Sequence, residues 1–233
     1  MKVLIVPSVS SGNIPQLAVD LLIYTLGAKK VSALDPRHLY PFVGPLDRAE
    51  NESIAKESTD ISTAADIYIV PDTQVYIIQL RSPTLPGHRQ KFVRETLKRY
   101  YESQGFDRAL VVGSSNAALA DVPIEKIQTV QLLSEDINDQ FRGLSLSEGQ
   151  SVNSLPKELP ESGFVIDVLK TIPFSVAAVR YAYEGDNFSD GELLAAHVAS
   201  LLNISVTKWV RPVSWKRAYG RDVPIGLEQG LYS

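Results

Sequence analysis

The pattern of apolar and polar positions predicts strands alternating with helices in the first part of the chain. Residues 2–6 form a short, β-branched apolar run that a proline ends, which is typical of a buried strand. Residues 14–26 carry apolar side chains at helical spacing, with Pro15 in the first turn and Gly27 placed to end the helix. A second strand is predicted at 31–34. This order indicates a βαβ unit with a parallel pair of strands.

The rest of the chain continues the alternation. A Pro-Asp-Thr turn joins two apolar runs and predicts a hairpin, so the sheet should be mixed. Ser189 and Glu192 have the spacing of a capping box that opens an amphipathic helix. Residues 114–123 are predicted to be a polar loop. The other predicted elements are strands at 67–70, 74–80, 108–112, 127–132 and 174–183, and a helix at 89–103 that Gly105 ends.

These elements indicate an α/β domain with a mixed, largely parallel central sheet and helices on both faces. A single domain is predicted to span residues 1–203, and residues 204–233 are predicted to form a C-terminal segment and tail. Residues 144–163 are rich in Ser, Pro and Glu, with few large apolar groups. They cannot bury enough surface to offset their ordering entropy, so we expect a mobile insertion there.

Composition narrows the classes of function. The formal net charge is −4 over 233 residues, so nothing global indicates nucleic acid or an anionic membrane as a partner. The absence of cysteine excludes disulfides, a thiol nucleophile and thiolate metal sites. No apolar run approaches the ~18 residues of a membrane span. We expect a cytoplasmic or nuclear protein.

Two loops could bind a phosphate or a nucleoside. Residues 8–13 join a predicted strand to a helix N-terminus, where free N–H groups favour anions, but the glycine spacing of known phosphate loops is missing. Gly12 and Asn13 are explained more simply as a turn and an N-cap. Ser114, Ser115 and Asn116 follow a predicted strand and could line the same crevice. A phosphorylase-like α/β enzyme therefore stays open as an alternative.

Catalytic signals are weak. The chain has no G-x-S-x-G elbow, and its three histidines are His38, His88 and His197. Nothing in the sequence places any of them beside a serine, so a serine-hydrolase triad is disfavoured. We expect no catalytic residues and no cofactor.

Other polar and aromatic residues have a structural interpretation beside the functional one. Glu184 and Asp186 could bind a divalent ion, but they fit a tight turn better, and we expect no metal. Arg81 could bind an anion or be an exposed solvated or interface charge. Trp209 and Trp215 are interpreted as packing groups, although aromatic residues are also common at interfaces.

The last three residues combine three binding groups. Leu231 can fill an apolar slot, the hydroxyl of Tyr232 can form a hydrogen bond, and a carboxylate at Ser233 can pair with a lysine. From these residues alone, a frayed terminus is the simpler interpretation.

Four segments, in order along the chain, carry a resemblance to a known family. The segments are Val9-Ser-Ser-Gly-Asn13 with Gln16-Leu-Ala-Val-Asp-Leu-Leu22, Gln79-Leu-Arg-Ser82, Glu184-Gly-Asp-Asn187 and Pro212-Val-Ser-Trp215. Together they are similar to the proteasome assembly chaperone 2 family. The resemblance implies a single α/β domain with a nucleoside-phosphorylase-like sheet and no enzymatic activity. It also implies a heterodimer with proteasome assembly chaperone 1 that binds the outer face of the 20S proteasome α-ring.

The tail also resembles that of fungal-type members, which end in a hydrophobic residue, a tyrosine and any residue. In those members this ending enters pockets between neighbouring α subunits. The resemblance therefore implies that Leu231, Tyr232 and Ser233 contact the α-ring. A plain interaction module of another complex is the third interpretation.

Overall fold

A seven-stranded mixed sheet forms the centre of the protein. The computed structural model describes residues 1–52, 60–119, 127–131 and 162–220. Across the central sheet the strand order is β2-β5-β6-β1-β7-β9-β8, and β3 and β4 form a separate antiparallel pair. The strands are β1 (Val3–Pro7), β2 (Lys29–Ala33), β3 (Val43–Pro45), β4 (Ile61–Thr63), β5 (Ala65–Ile69), β6 (Val75–Leu80), β7 (Arg108–Asn116), β8 (Ile127–Gln131) and β9 (Ser175–Ala182).

The sheet is parallel in its middle and antiparallel toward both edges. β1 pairs in parallel with β6 and β7, and β7 pairs in parallel with β9. β5 runs antiparallel to β2 and β6, and β8 runs antiparallel to β9. The predicted mixed, largely parallel sheet and the predicted hairpin are confirmed.

The predicted parallel pairing of the first two strands is wrong. β2 lies at an edge of the sheet, where it pairs antiparallel with β5, and the β5–β6 hairpin separates it from β1. The reason lies in the side chains, because β2 is largely exposed and begins with Lys29 and Lys30, whereas five of the six residues of β6 are buried. An apolar strand gains more from a central position. The register of β2 also shifts between Lys30 and Ser32.

Two pairs of helices cover the two faces of the sheet. α1 (Ile14–Thr25) and α4 (Phe188–Leu201) pack on one face, and α3 (Gly163–Thr171) packs on the other with α2, which spans residues 89–104. The strand β1 contributes side chains to both faces. Val3 and Ile5 pack with α1 and α4, and Leu4 and Val6 pack with α2 and α3. Helices on both faces were predicted, and this is confirmed.

The helix α2 follows the predicted apolar stripe. It comprises Arg89–Lys91, a π-helical stretch Phe92–Leu97 and Lys98–Gln104. Gly105 adopts φ 62° directly after it, as the predicted stop requires.

Other local predictions need correction. Ser114, Ser115 and Asn116 do not follow a strand, because they are the last residues of β7 and pair with β9. Ser189 lies inside α4 and not at its N-cap, so the predicted capping box is wrong. The helix α3 was not predicted.

The C-terminal segment packs along the domain as far as the structure describes it. The Val210 amide donates to Thr25 Oγ1 at 2.9 Å, at the end of α1. A 3₁₀ segment follows at Val213–Gly220. Residues 144–161 of the predicted insertion and the predicted contact residues Leu231, Tyr232 and Ser233 lie outside the described residues. Within the described chain, no helix has the length and apolar character to cross a membrane.

Candidate functional site at the carboxyl edge of the sheet

The carboxyl ends of β1 and β7 are joined by a chain of serine hydroxyls. Ser8 Oγ lies 2.9 Å from Ser10 Oγ, which lies 2.8 Å from Ser114 Oγ. Ser114 Oγ in turn donates to the carbonyl oxygen of Ser11 at 2.6 Å. Because a carbonyl can only accept, Ser114 must accept from Ser10, and Ser10 from Ser8. The three hydroxyl protons are therefore committed to holding the loop against β7.

The histidines do not serve this cluster. Within the described chain, the hydroxyl groups of Ser8, Ser10 and Ser114 bond to other serines and to backbone groups. His38 Nδ1 instead lies 3.1 Å from His88 Nδ1, and His38 Nε2 lies 3.2 Å from Glu95 Oε2 on α2.

The third histidine lies in the second half of the helix α4. His197 is on α4, where burial lowers the pKa of its imidazole. In the described part of the chain, no histidine therefore bonds to the hydroxyls of Ser8, Ser10 or Ser114.

The turn before α4 packs against the loop after β1. Gly12 has φ 68°, and a Cβ atom placed there would lie 2.2 Å from Asn187 Nδ2. The same Nδ2 donates to the carbonyl oxygen of Gly185 at 3.1 Å. The two segments can therefore approach this closely because residue 12 has no side chain. Asn13 occupies the predicted N-cap position of α1, but it forms no side-chain cap bond there.

The acidic turn has the geometry of a turn and not of a metal site. The backbone amide of Phe188 donates to Asp186 Oδ1 at 3.4 Å. Among the described residues, no group of three or more His, Cys, Asp or Glu side chains is arranged to hold a metal ion. Glu184 and Gly185 instead line an open cleft of about 540 Å³ together with residues 9–13.

A buried polar network lies beneath the carboxyl ends of the parallel strands, which we call the carboxyl edge. Asp20 of α1 accepts from Gln79 Nε2 at 2.8 Å and from Arg81 Nη1 at 2.9 Å. Gln79 Oε1 accepts from the hydroxyl of Tyr68 at 3.1 Å. Burial raises the pKa of Asp20, and the charge of Arg81 opposes this increase.

The position of Arg81 corrects its interpretation as an exposed charge. Its side chain is 22% exposed and is paired with the buried carboxylate of Asp20. It also contributes to a second cleft of about 300 Å³, with Val9, Gln16 and Trp215. Its charge is therefore largely compensated inside the protein.

Both tryptophans pack, as predicted. Trp215 is buried, and its ring centroid lies 4.5 Å from that of Phe188. Trp209 packs partly buried against the apolar cluster of α1 and α4. Through Trp215, the C-terminal segment reaches the carboxyl edge.

All four segments that carry the family resemblance meet at this edge. Residues 9–22 provide the loop and α1, residues 79–82 provide Gln79 and Arg81, and residues 184–187 provide the turn against Gly12. Residues 212–215 close the second cleft. Segments far apart in sequence thus form one continuous region of the fold.

A model of the PAC2 family matches residues 4–180. The chain belongs to the PAC2 family. Its PAC2 relatives include the mouse proteasome assembly chaperone 2, which is 28% identical, with 96% of this chain and 94% of the relative covered. The Saccharomyces cerevisiae proteasome assembly chaperone 2 is 26% identical, with 94% and 95% covered.

A solved structure agrees with the fold of this PAC2 chain. Pyrococcus furiosus PbaA, an archaeal homolog of proteasome-assembly chaperone, superposes with a TM-score of 0.59 at 10% identity. The match covers 88% of this chain and 82% of PbaA. At this identity the likeness supports the α/β architecture alone.

Some residues of this region were missed by the sequence analysis. Asp20 lies among buried apolar residues of α1, and a carboxylate on such a face usually signals a buried ion pair. That signal could have identified Asp20 but not its partner Arg81, which is 61 residues away.

Proposed function

We propose that this PAC2 chain is a chaperone for assembly of the 20S proteasome. It acts as a heterodimer with proteasome assembly chaperone 1 on the outer face of the α-ring. The observation that carries the proposal is the near full-length similarity to proteins named proteasome assembly chaperone 2, in the mouse and in yeast. The role is non-catalytic and needs no cofactor, and it takes place in the cytoplasm or nucleus.

The carboxyl edge is consistent with a binding role. A phosphorylase-like enzyme would need a convergent acid, base or nucleophile there. The hydroxyls of Ser8, Ser10 and Ser114 are instead engaged with one another, and the guanidinium of Arg81 is paired with Asp20. These contacts favour a scaffold over an active site.

We assign the docking contact to Leu231, Tyr232 and Ser233, which enter a pocket between neighbouring α subunits. Burying a leucine-sized side chain contributes roughly 1.5–3 kcal/mol. A hydrogen bond from the Tyr232 hydroxyl adds about 0.5–1.5 kcal/mol. Ordering the tail offsets part of both contributions, so one tail binds weakly.

Weak anchors become effective when two chaperones are linked. The second tail then binds at a high effective concentration, and the pair gains avidity without any stronger single contact. Weak single contacts also permit release once the maturing ring changes its geometry. Equal affinity of the heterodimer for half-assembled and finished particles would contradict this release step.

Affinity purification with mass spectrometry tests the function. The tagged chain, expressed at its native level, should co-purify proteasome assembly chaperone 1 and 20S precursors that contain α subunits. An untagged strain and a tagged, unrelated α/β protein are the controls. Recovery of another complex in place of proteasome precursors would refute the proposal.

A further inference from the structure

Three large apolar side chains are exposed where three neighbouring parallel strands end. Val9 follows β1, Leu119 follows β7 and Tyr183 follows β9, and they are 37%, 59% and 53% exposed. The pairing of Asn116 with Ala182 aligns β7 with β9 at this end. We call these three residues the carboxyl rim. Exposed apolar groups that share one edge are typical of a contact surface.

The carboxyl rim is flanked by negative charge. Glu184 and Asp186 are exposed in the turn that follows Tyr183. The surface that fits this rim is therefore apolar at its centre, with basic side chains at its border.

The C-terminal tail begins at the same edge. Trp215 packs against Phe188 at the start of α4 and shares the second cleft with Val9. From Trp215 the 3₁₀ segment continues to Gly220. At ~2 Å of rise per residue, Gly220 lies within about 10 Å of Trp215.

The origin of the tail is fixed to the domain. The backbone amide of Val210 donates to Thr25 Oγ1 at 2.9 Å, and that of Val213 donates to the Arg48 carbonyl oxygen at 2.9 Å. Ser214 bonds to the carboxylate of Asp47 through its amide and its hydroxyl. These contacts hold residues 210–214 against the α/β domain on the way from Thr25, at the end of α1, to Trp215. They therefore determine the point at which the tail leaves the domain.

We propose that the carboxyl rim is the face through which the body of this chaperone contacts the α-ring surface that receives the tail. The inference rests on the proposed function. Leu231 follows Gly220 by eleven residue steps, which span about 36–40 Å when fully extended. A flexible chain of that length has a root-mean-square extent of about 17–20 Å.

This reach favours one orientation of the body. With the carboxyl rim against the α-ring, the tail starts at the contact and Leu231 samples nearby pockets at high effective concentration. With the opposite edge against the α-ring, the tail would first have to pass the length of β7, about 30 Å for nine residues. Most of its reach would then be used before it met a pocket.

Charge substitutions on the rim test the inference. The variant Leu119→Asp/Tyr183→Asp is co-expressed with proteasome assembly chaperone 1, and binding of the purified heterodimer to purified α-ring precursors is measured. We expect affinity to fall about tenfold or more, since two apolar contacts are lost. Leu193→Asp is the matched control, because Leu193 is a similarly exposed leucine, at 51%, that lies on α4 and is not a rim residue. The control should bind like the unmodified protein.

A second measurement avoids dependence on folding of the variant. A photo-crosslinking phenylalanine derivative replaces Tyr183, or Phe174 at the opposite edge, where the side chain is 41% exposed. Crosslinks to α subunits should form from position 183 and not from position 174.

The outcomes separate this inference from the proposed function. If the unmodified heterodimer does not bind α-ring precursors, the function and the inference both fail. If it binds but the rim variant binds equally well, the rim inference alone is overturned. Loss of the heterodimer in the rim variant would also overturn it, because the rim would then face the other chaperone.

Discussion

Asp20 and Arg81 form a partly buried ion pair, with 2.9 Å between Asp20 Oδ2 and Arg81 Nη1, that joins α1 to the end of β6. Removing the arginine leaves a buried carboxylate whose other side-chain donor, in the part of the chain that the structure describes, is Gln79. We expect Arg81→Met to lower the free energy of unfolding by about 2–4 kcal/mol, as measured by urea denaturation.

The matched control for that substitution is Arg37→Met. Arg37 pairs with Asp35 at the surface, where both side chains are largely exposed. Exposed pairs contribute little, so the loss of stability should be much smaller than for Arg81→Met. Equal effects of the two substitutions would show that burial of the Asp20 pair is energetically unimportant.

Two buried tyrosines should respond in opposite directions to loss of the hydroxyl. Among the described residues Tyr101 Oη has no hydrogen-bond partner, and burial raises the pKa of this phenol to about 12. Tyr101→Phe should therefore be neutral or should stabilise the protein by up to about 1 kcal/mol. Tyr68→Phe removes the donor to Gln79 and should cost about 1 kcal/mol. Thermal unfolding of both variants measures the difference, and a clear loss of stability in Tyr101→Phe would contradict it.

Gly12 should tolerate a methyl group less well than Gly27. Both have positive φ, but a Cβ atom at Gly12 would meet Asn187, whereas none of the described atoms lies within 4 Å of one at Gly27. Gly27→Ala should therefore lower the free energy of unfolding by about 1 kcal/mol through backbone strain alone. Gly12→Ala should lower it further, because the added methyl group also clashes with Asn187. The double variant Gly12→Ala/Asn187→Ala should recover part of the additional loss. If the two single variants lose equal stability, the close contact is not significant.

His197 predicts a dependence of stability on pH. Burial lowers the pKa of its imidazole, so the folded protein binds this proton less readily than the unfolded chain. The neutral His197 therefore contributes fully to stability above the pKa of about 6.5 in the unfolded chain. This contribution is lost as the pH falls through the lower pKa of the folded protein. Urea denaturation at pH 7.5 and pH 5 should show a smaller decrease for His197→Gln than for the unmodified protein. Parallel decreases would contradict the burial effect.

The tail prediction concerns binding and not folding. Tyr232→Ala, or removal of residues 231–233, should weaken binding of the heterodimer to α-ring precursors by about tenfold or more, because an anchoring contact is lost. Surface plasmon resonance measures this affinity, and size-exclusion chromatography should show the heterodimer intact. The control Leu227→Ala changes an apolar residue upstream of the motif and should have a small effect. Unchanged binding of Tyr232→Ala would remove the tail from the proposed mechanism.

The sequence predicted the types of most elements because their periodicities are local. Helices α1 and α2 and the β5–β6 hairpin follow from apolar spacing, glycine stops and a turn. The order of the strands depends on pairing between distant segments, and no local pattern encodes it. The neighbours of β2 were therefore predicted wrongly.

A loop was predicted wrongly where tertiary contacts satisfy the polar groups of a buried strand. Ser114 and Ser115 read as a loop, yet they are fully buried at the end of β7. The backbone groups of Ser114 and Ser115 are satisfied by pairing with β9, and the Ser114 hydroxyl by its own hydrogen bonds. The sequence shows that these residues are polar, but it does not show the partners that allow them to be buried. For the same reason the convergence of Gly12, Arg81, Asn187 and Trp215 on one edge could not be predicted, although their segments were identified.

The edge strand β2 has a consequence for a protein that handles incomplete complexes. Its lysines and its register shift between Lys30 and Ser32 make it a poor template for an incoming strand. Growth of the sheet from one molecule into the next is thereby discouraged at this side. An assembly chaperone can then bind its partner proteins without adding a strand of theirs to its own sheet at β2.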